Sequence, residues 1–252
     1  MSRLQRRLMT PVRRIAVIVG AALLLAGCFK PMALHMQQED PNTLPWWCHS
    51  EQMMDEPGAQ WYMDHGIEKG DLSWEDCITN SAHFDQALAF AMQYPTRGQA
   101  EAAGWVANAN YAAGMGTHHA LGNPLQGAFN PDRPNFLQYG GNTPDAKLVG
   151  MSWYVNNGPD GPPAGFPGDN DWWHRHEYLC LSNSTGIVIF DGPCPPGVAG
   201  NTVYLGNYWL LHVWVVPHWM HEMDVFVGHH PCLLPSGPAA EDDPCWTDDM
   251  HM

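Results

Sequence analysis

His174 and His176 lie two residues apart in a segment that becomes extended towards its far end. Side chains alternate between the two faces of a strand, so both imidazoles are expected on one face, about two residue rises apart. Transition-metal ions need three or four N, S or O donors at about 2.0–2.3 Å, and neutral imidazole is the commonest of these donors. The spacing therefore predicts that the two histidines share one metal ion.

Two further histidines are the best candidates to complete such a site. His212 lies between apolar neighbours in a predicted strand, where an imidazole is costly to bury unless it bonds to something. The glycines of Gly114–Thr117 predict a turn that leaves both ring edges of His118 accessible. Taken singly, each histidine is better explained as a core or surface residue with one hydrogen bond. Taken together, they predict a divalent transition metal, with zinc or copper favoured and iron possible, bound by His118, His174, His176 and His212.

Other side chains near these positions have alternative predicted roles. His119 adjoins His118 and is either an alternative ligand or a residue that supports the ligands. Glu177 and Asp171 are candidate acids or bases, which a hydrolytic or oxygen-using metal site needs together with an open coordination position. Glu177, however, is expected on the face opposite the histidines if the strand is regular. The sequence thus predicts metal binding but no particular reaction.

The first 28 residues predict the compartment. Five arginines precede an apolar run of eleven residues, Ile15–Leu25, which is too short to span a membrane permanently. The run ends in Leu25-Ala26-Gly27-Cys28, which resembles the bacterial lipobox, where a cysteine is lipidated and becomes the mature N-terminus. This predicts a signal peptide over 1–27, lipidation of Cys28, and a lipidated tether over 28–44. An ordinary secretory signal and an uncleaved anchor are the alternatives.

The lipid on Cys28 is expected to attach the protein to a membrane in the cell envelope, on the outer side of the cytoplasmic membrane or in the periplasm. Removal of residues 1–27 leaves 6 basic and 26 acidic residues, a net charge of −20 over 225 residues. Such a surface repels nucleic acid and anionic lipid headgroups. The composition therefore excludes nucleic acid as a partner, and nothing in the sequence identifies a protein partner.

Six cysteines remain besides Cys28, an even number that indicates disulfide bonds in an exported chain. Fifteen pairings are possible, and pairing between neighbours along the sequence is the simplest of them. Thiolate ligation of a metal is the alternative, although the sequence contains no CxxC pair. The predicted disulfides are Cys48–Cys77, Cys180–Cys194 and Cys232–Cys245.

Helices are predicted in the N-terminal third of the chain. Ser73 and Asp76 have the spacing of a capping box at the start of a short helix. The apolar residues within Phe84–Tyr94 recur with a helical period. Thr96 then opens a second helix, which ends at Gly104.

Strands are predicted after the helices, at 147–155, 178–182, 186–190 and 208–216. The Gly- and Pro-rich loop 156–171 leads directly to His174, and loops of this length are usually functional or disordered. We therefore predict a single α+β domain over 45–235. In it, N-terminal helices are followed by a small, mostly antiparallel sheet or partial barrel. An acidic C-terminal tail is predicted over 236–252.

A series of short motifs resembles a group of uncharacterised exported bacterial proteins. The group shares an AAGY-like helix end, MGxH, DPxRPE, LVGVEY and LHVW, in that order. The resemblance implies a common α+β domain with spaced histidines but no known reaction. This chain departs from the group at Ser152, where the group often has Glu; if that Glu is a ligand there, His174 and His176 replace it here. The matching segments, within 84–232, are Ala100–Trp105, Gly114–His118, Phe129–Pro134, Lys147–Met151 and Leu211–Trp214.

The spacing of Gly168, His174 and His176 resembles the opening of the first cupin motif, and Gly206 precedes His212 by the same gap. In cupins two metal ligands share one barrel strand, although the family's Glu lies further on than Glu177. The resemblance implies a metalloenzyme, either an oxygenase or a hydrolase. A third hypothesis is an envelope module without metal that binds a glycan or partner protein through a Trp-rich face, since the chain has 12 Trp.

Overall fold

The computed structural model describes residues 44–49, 59–125, 128–221 and 225–247. The predicted signal peptide, Cys28 and all but the last residue of the predicted tether lie outside these ranges, so their roles stay predictions. None of the described helices combines the length and the apolar character needed to cross a bilayer.

Within the described part of the chain, three α-helices precede the sheet, and both predicted helix starts are confirmed. After a 3-10 turn at Trp46–Cys48, the helices are α1 (Ala59–Asp64), α2 (Trp74–Ala91) and α3 (Arg97–Ala102).

Side-chain caps fix where α2 and α3 begin. The Ser73 hydroxyl accepts from the N–H of Asp76 and donates to its carboxylate at 2.7 Å. Thr96 and Gln99 form a reciprocal capping box at the start of α3. Gly104, at φ +95°, adopts the left-handed conformation that commonly ends a helix. The caps at Ser73 and Thr96 satisfy backbone N–H groups that have no partner inside their helices.

An open, mostly antiparallel sheet of eight strands follows the helices, so the α+β prediction is confirmed, with a sheet larger than expected. Each predicted strand is present, with ends within about three residues. Its strands are β1 (Trp105–Ala112), β2 (Gly116–Leu121), β3 (Phe136–Tyr139), β4 (Leu148–Asn156), β5 (Tyr178–Ser182), β6 (Val188–Asp191), β7 (Gly200–Tyr204) and β8 (Tyr208–Val213). The spatial order is β7-β5-β6-β1-β2-β3-β4-β8, and β1 and β6 pair in parallel.

Alternate side chains of the central strands belong to two different layers. Leu137, Met151 and Leu211 belong to one hydrophobic cluster with Phe84 of α2. Their strand neighbours Phe136, Tyr154 and Leu210 form a separate cluster on the other side of the sheet, which we call the distal face. Eight of the nine residues of β4 are buried, because both faces of this strand are covered.

The three predicted disulfides are confirmed, since the sulfur atoms of each pair lie at bonding distance. Cys48–Cys77 joins the 3-10 turn to α2, and Cys180–Cys194 joins β5 to the segment before β7. Cys232–Cys245 holds the C-terminal segment. Each bond closes a loop and so restricts the unfolded chain, which stabilises the fold.

Part of the segment predicted as an acidic tail packs on the rest of the chain. A short strand β10 (Gly237–Pro238) pairs with β9 (Leu233–Leu234). Trp246 is buried in a cluster with Val149 and Trp214, and its indole N–H donates to the carbonyls of Ala239 and Ala240. This second cluster extends the core beyond the helical layer.

Replacement of Phe84 with Ala should be strongly destabilising. The Phe84 ring is fully buried and lies 6.2, 5.1 and 5.7 Å from the ring centroids of Trp47, Phe166 and Phe226. Loss of a buried Phe side chain typically costs about 3–5 kcal/mol, a drop that chemical denaturation would measure. Met92→Ala, exposed just past the same helix, should change the free energy of unfolding by less than about 0.5 kcal/mol. Equal effects would show that α2 does not anchor the core.

Candidate metal centre

His118 and His212 lie on β2 and β8, and both side chains are on the distal face. The turn predicted around His118 is wrong, because β2 already begins at Gly116 and pairs with β3. A Cβ on Gly116 would lie 2.6 Å from the carbonyl oxygen of Tyr139, so only glycine allows this approach. β3 and β4 separate the two histidine strands, a distance of about 14 Å in a flat sheet. Their contact therefore requires a strongly curved sheet.

His174 reaches the same place from the Gly- and Pro-rich loop. Phe166 and Trp173 anchor this loop in the helical layer. The backbone of His174 then pairs with Leu210 of β8 through hydrogen bonds of 2.9 and 2.7 Å, as an isolated antiparallel bridge. The regular strand expected across His174 and His176 is wrong, since the described backbone has only this bridge there. The rings nevertheless lie on the same side, with centroids 5.3 Å apart.

The structure brings all four predicted ligands into one cluster. His118 Nε2 and His212 Nε2 are 3.4 Å apart. The ring centroid of His174 lies 5.0 Å from that of His212. His118, His174 and His212 are buried, whereas His176 keeps 13% of its side chain exposed. His176 therefore marks the side from which solvent reaches the cluster.

Hydrogen bonds indicate which ring nitrogens carry protons. His212 Nδ1 lies 2.8 Å from the carbonyl oxygen of Gly228, which can only accept, so Nδ1 donates and Nε2 of the neutral ring keeps its lone pair. The Gln138 amide nitrogen donates to the carbonyl of Met115 and to His118 Nε2, each at 3.2 Å. His118 Nε2 is then also unprotonated. Two unprotonated nitrogens thus face each other, an arrangement that a cation between them would stabilise.

Burial keeps the cluster neutral. It lowers the pKa of His118 to about 3, with further lowering by charge repulsion from His176, His174 and His119. Burial, followed by repulsion from neighbouring histidines, also holds the pKa values of His174 and His212 well below the usual value. Neutral imidazole is the form that binds a metal ion. These three rings can therefore act as ligands at neutral pH without first losing a proton.

Buried polar atoms around the cluster lack a hydrogen-bond partner among the described residues. They include Oε1 of Gln138 and Oγ of Ser152. Ser152 lies directly opposite His212 in the pairing of β4 with β8. An unsatisfied buried polar atom typically costs about 1–3 kcal/mol, so a group of them calls for an ion or water nearby.

His176 is oriented by a carboxylate. Its Nδ1 lies 3.0 Å from Oδ1 of Asp191, and this hydrogen bond is the main reason that the pKa of Asp191 is lowered. A carboxylate on Nδ1 fixes the ring and leaves Nε2 available for a metal.

The candidate bases Glu177 and Asp171 have different surroundings. Glu177 is exposed, while Asp171 is held by Lys69 at 3.6 Å and by Trp173 at 2.9 Å. The carboxylate of Asp171 is therefore committed to partners outside the cluster.

His119 lies on the helical side of the sheet, away from His118. Its ring is fully buried, with Nε2 3.4 Å from Oε1 of Glu101 and the edge of Tyr139 at a centroid distance of 5.1 Å. Alternation along β2 explains this placement, because neighbouring residues of a strand point to opposite faces. The structure thus places His119 with Glu101 and not with the four clustered histidines.

A group other than the four histidines has its potential metal-donor atoms closest together. The ligand atoms of His221, Cys232 and Cys245 all lie within 4.8 Å of one another, and this group could hold a metal ion. The two sulfurs, however, are joined in a disulfide and offer no thiolate in this state. No other set of three described His, Cys, Asp or Glu donors is as close. Completion of a site at the four histidines therefore requires His174 or His176 to rotate towards the pair.

Two residues at the cluster were not predicted from the sequence. Gln138 has a usable signal, since it is a lone polar residue in the short apolar run Phe136–Tyr139. Asp191 precedes Gly192 and has the composition of a turn, so nothing in the sequence distinguishes it from a loop residue.

No protein-family model, curated protein or solved structure matches this chain. The resemblances to the exported bacterial group and to cupins therefore stay predictions.

The stability of the protein should decrease as the pH falls below about 6.5. His230, outside the cluster, is buried beside Trp214 and Trp246 at centroid distances of 5.1 and 5.0 Å, and burial lowers its pKa to about 3. Because its folded pKa lies below the unfolded value, protonation favours the unfolded chain. Titration of His230 lowers the free energy of unfolding by at most about 1.4 kcal/mol per pH unit, and this decrease continues down to the folded pKa of His230.

Urea unfolding at pH 7.5 and pH 5.0, with a chelator present, measures this effect. The His230→Gln variant should lose less stability between the two pH values than the native protein. Equal losses would contradict a neutral, buried His230.

Proposed function

We propose that this protein binds one divalent transition-metal ion through His118, His174, His176 and His212. The facing, unprotonated Nε2 atoms of His118 and His212 carry the proposal. Their separation is 3.4 Å. Two ligands at about 2.0–2.1 Å from a tetrahedral ion lie about 3.3–3.4 Å apart. The pair therefore already has the spacing of two ligands of one ion, and coordination would replace the contact of His118 with Gln138.

The surroundings of the cluster support the same function. Nδ1 of His212 donates to Gly228 and Nδ1 of His176 lies against Asp191, which leaves Nε2 of each ring directed elsewhere. Metal-bound histidines generally have such a partner on the second ring nitrogen. His174, whose ring centroid lies 5.0 Å from that of His212, would supply a third donor. Imidazole ligands suit zinc, copper and iron, and we favour zinc or copper.

A metalloenzyme is the second candidate function. One observation favours it, since His118 and His176 also line a cavity through which a small molecule could reach the cluster. The third hypothesis, a Trp-rich binding face, has less support. All twelve tryptophans fall within the described residues, and each is buried or only partly exposed.

We also propose that the protein is lipid-anchored in the cell envelope through Cys28, with the membrane and not nucleic acid as its partner. Three disulfides support an oxidising compartment outside the cytoplasm. The lipobox-like segment supports the anchor.

The purified protein should contain about one equivalent of metal, natively or after reconstitution with zinc, copper or iron, as measured by mass spectrometry. A His174→Ala/His176→Ala double variant removes one buried and one part-exposed donor and should lose this metal. A His49→Ala/His65→Ala variant removes two exposed imidazoles and should retain it. Circular dichroism would establish that each variant is folded. Absence of metal from the reconstituted native protein would overturn the proposal.

Neighbouring residues on opposite faces of β2 provide a second test. His118→Gln should lower metal affinity at least about tenfold, because it removes one of the facing nitrogens. His119→Gln should leave affinity within about twofold, because His119 lies with Glu101 on the helical side. Competition with a chromophoric chelator measures both. A similar loss in the two variants would restore His119 as a ligand.

A further inference from the structure

The distal face encloses a cavity of about 620 Å³. Each of the eight strands of the large sheet contributes at least one lining residue, from Val203 on β7 to Leu210 on β8. The sheet therefore curls around this space without closing into a barrel. Volumes of about 300–1,000 Å³ are typical of sites for small-molecule ligands.

Small residues on β1 keep the cavity from being filled. Ala109 lines it directly beside His118, its partner in the pairing of β1 with β2. The opposite walls are large and apolar, with Phe136, Leu179 and Leu205 among them. A wall of this kind gains little from water but gains free energy from contact with an apolar molecule, at about 25 cal/mol per Å² buried.

His118, His176 and Asp191 are the titratable imidazole and carboxylate groups of the cavity, and Asn108, Asn110, Asn123, Tyr111 and Tyr154 add neutral polar groups to its lining. Among the described residues that line the cavity there is no Lys or Arg. Asp191 is the one carboxylate among them, and its Oδ1 lies 3.0 Å from Nδ1 of His176. An anionic headgroup would find no cationic side chain here and would be repelled by Asp191. With Nδ1 of His176 bound to Asp191, Nε2 of that ring can accept a hydrogen bond from an occupant.

We propose that this cavity binds an uncharged small molecule with an apolar body and a single hydroxyl group, which donates to His176. The volume of about 620 Å³ lies within the range of sites for small molecules. Burial of the apolar body supplies most of the affinity, and the hydroxyl group sets the orientation. The binding needs no metal ion, and it is tested on the metal-free protein because Nε2 of His176 cannot bind a metal ion and accept a hydrogen bond from a hydroxyl group at the same time.

The test uses the full-length protein treated with a chelator. N-phenyl-1-naphthylamine, a neutral fluorophore, serves as the probe, and 1-dodecanol and dodecanoate serve as competitors. We expect one saturable probe site, displacement by dodecanol, and at least tenfold weaker displacement by dodecanoate. Equal displacement by the alcohol and the carboxylate would overturn the assignment of an uncharged ligand. Absence of saturable probe binding would overturn the cavity as a binding site.

Matched variants on β1 locate the site. Ala109→Trp fills the cavity and should weaken probe binding at least tenfold. Val106→Trp introduces the same ring at a position that is 63% exposed and outside the cavity, and it should have no effect. If Ala109→Trp does not fold, Asp191→Asn replaces it. That variant should strengthen dodecanoate binding severalfold relative to dodecanol binding. Equal binding by both Trp variants, or no change in dodecanoate binding with Asp191→Asn, would contradict the proposal.

Discussion

The burial of neutral imidazoles on the distal face is the interaction on which the rest of the arrangement depends. Several histidines that face one another away from water cannot all be protonated, because each charge would lose hydration and repel the next. The fold meets this constraint with fixed partners, the carbonyl of Gly228 for His212 and the amide of Gln138 for His118. These partners leave unprotonated nitrogens opposite one another, and Oγ of Ser152 and Oε1 of Gln138 add further unsatisfied atoms. A buried polar cluster that lacks these hydrogen bonds lowers the stability of the fold. A bound cation would remove this cost.

Much of the fold could be predicted because neighbouring residues determine it. The capping pairs at Ser73 and Thr96 act over three residues, and the structure has both. The confirmed disulfides join the cysteines closest along the chain, where short loops make contact most probable. Strand periodicity located β4, β5 and β8 to within a few residues. Each of these features needs only a short stretch of sequence to specify it.

The centre itself depends on relationships that no short stretch contains. The glycines before His118 suggested a turn, but Gly116 instead lets β2 approach Tyr139 closely, which only the paired strand reveals. The backbone of His174 is held by Leu210, a residue 36 positions away, and not by the periodicity of its own segment. Gln138 reaches His118 because β3 pairs with β2 in one particular register. The sequence predicted which histidines converge, whereas their supporting partners follow from tertiary pairing.

Curvature of the sheet links the centre to the cavity. His118 and His212 are separated by two intervening strands and can touch only if the sheet bends strongly towards its distal face. The same bend carries β5, β6 and β7 around to enclose the apolar space. Leu137, Met151 and Leu211, on the opposite face, belong to the same hydrophobic cluster as Phe84 of α2. A change in the helical layer that flattened the sheet would separate the two imidazoles and open the cavity together, although it touched neither. The helical layer and the distal face are thus linked through the shape of the sheet between them.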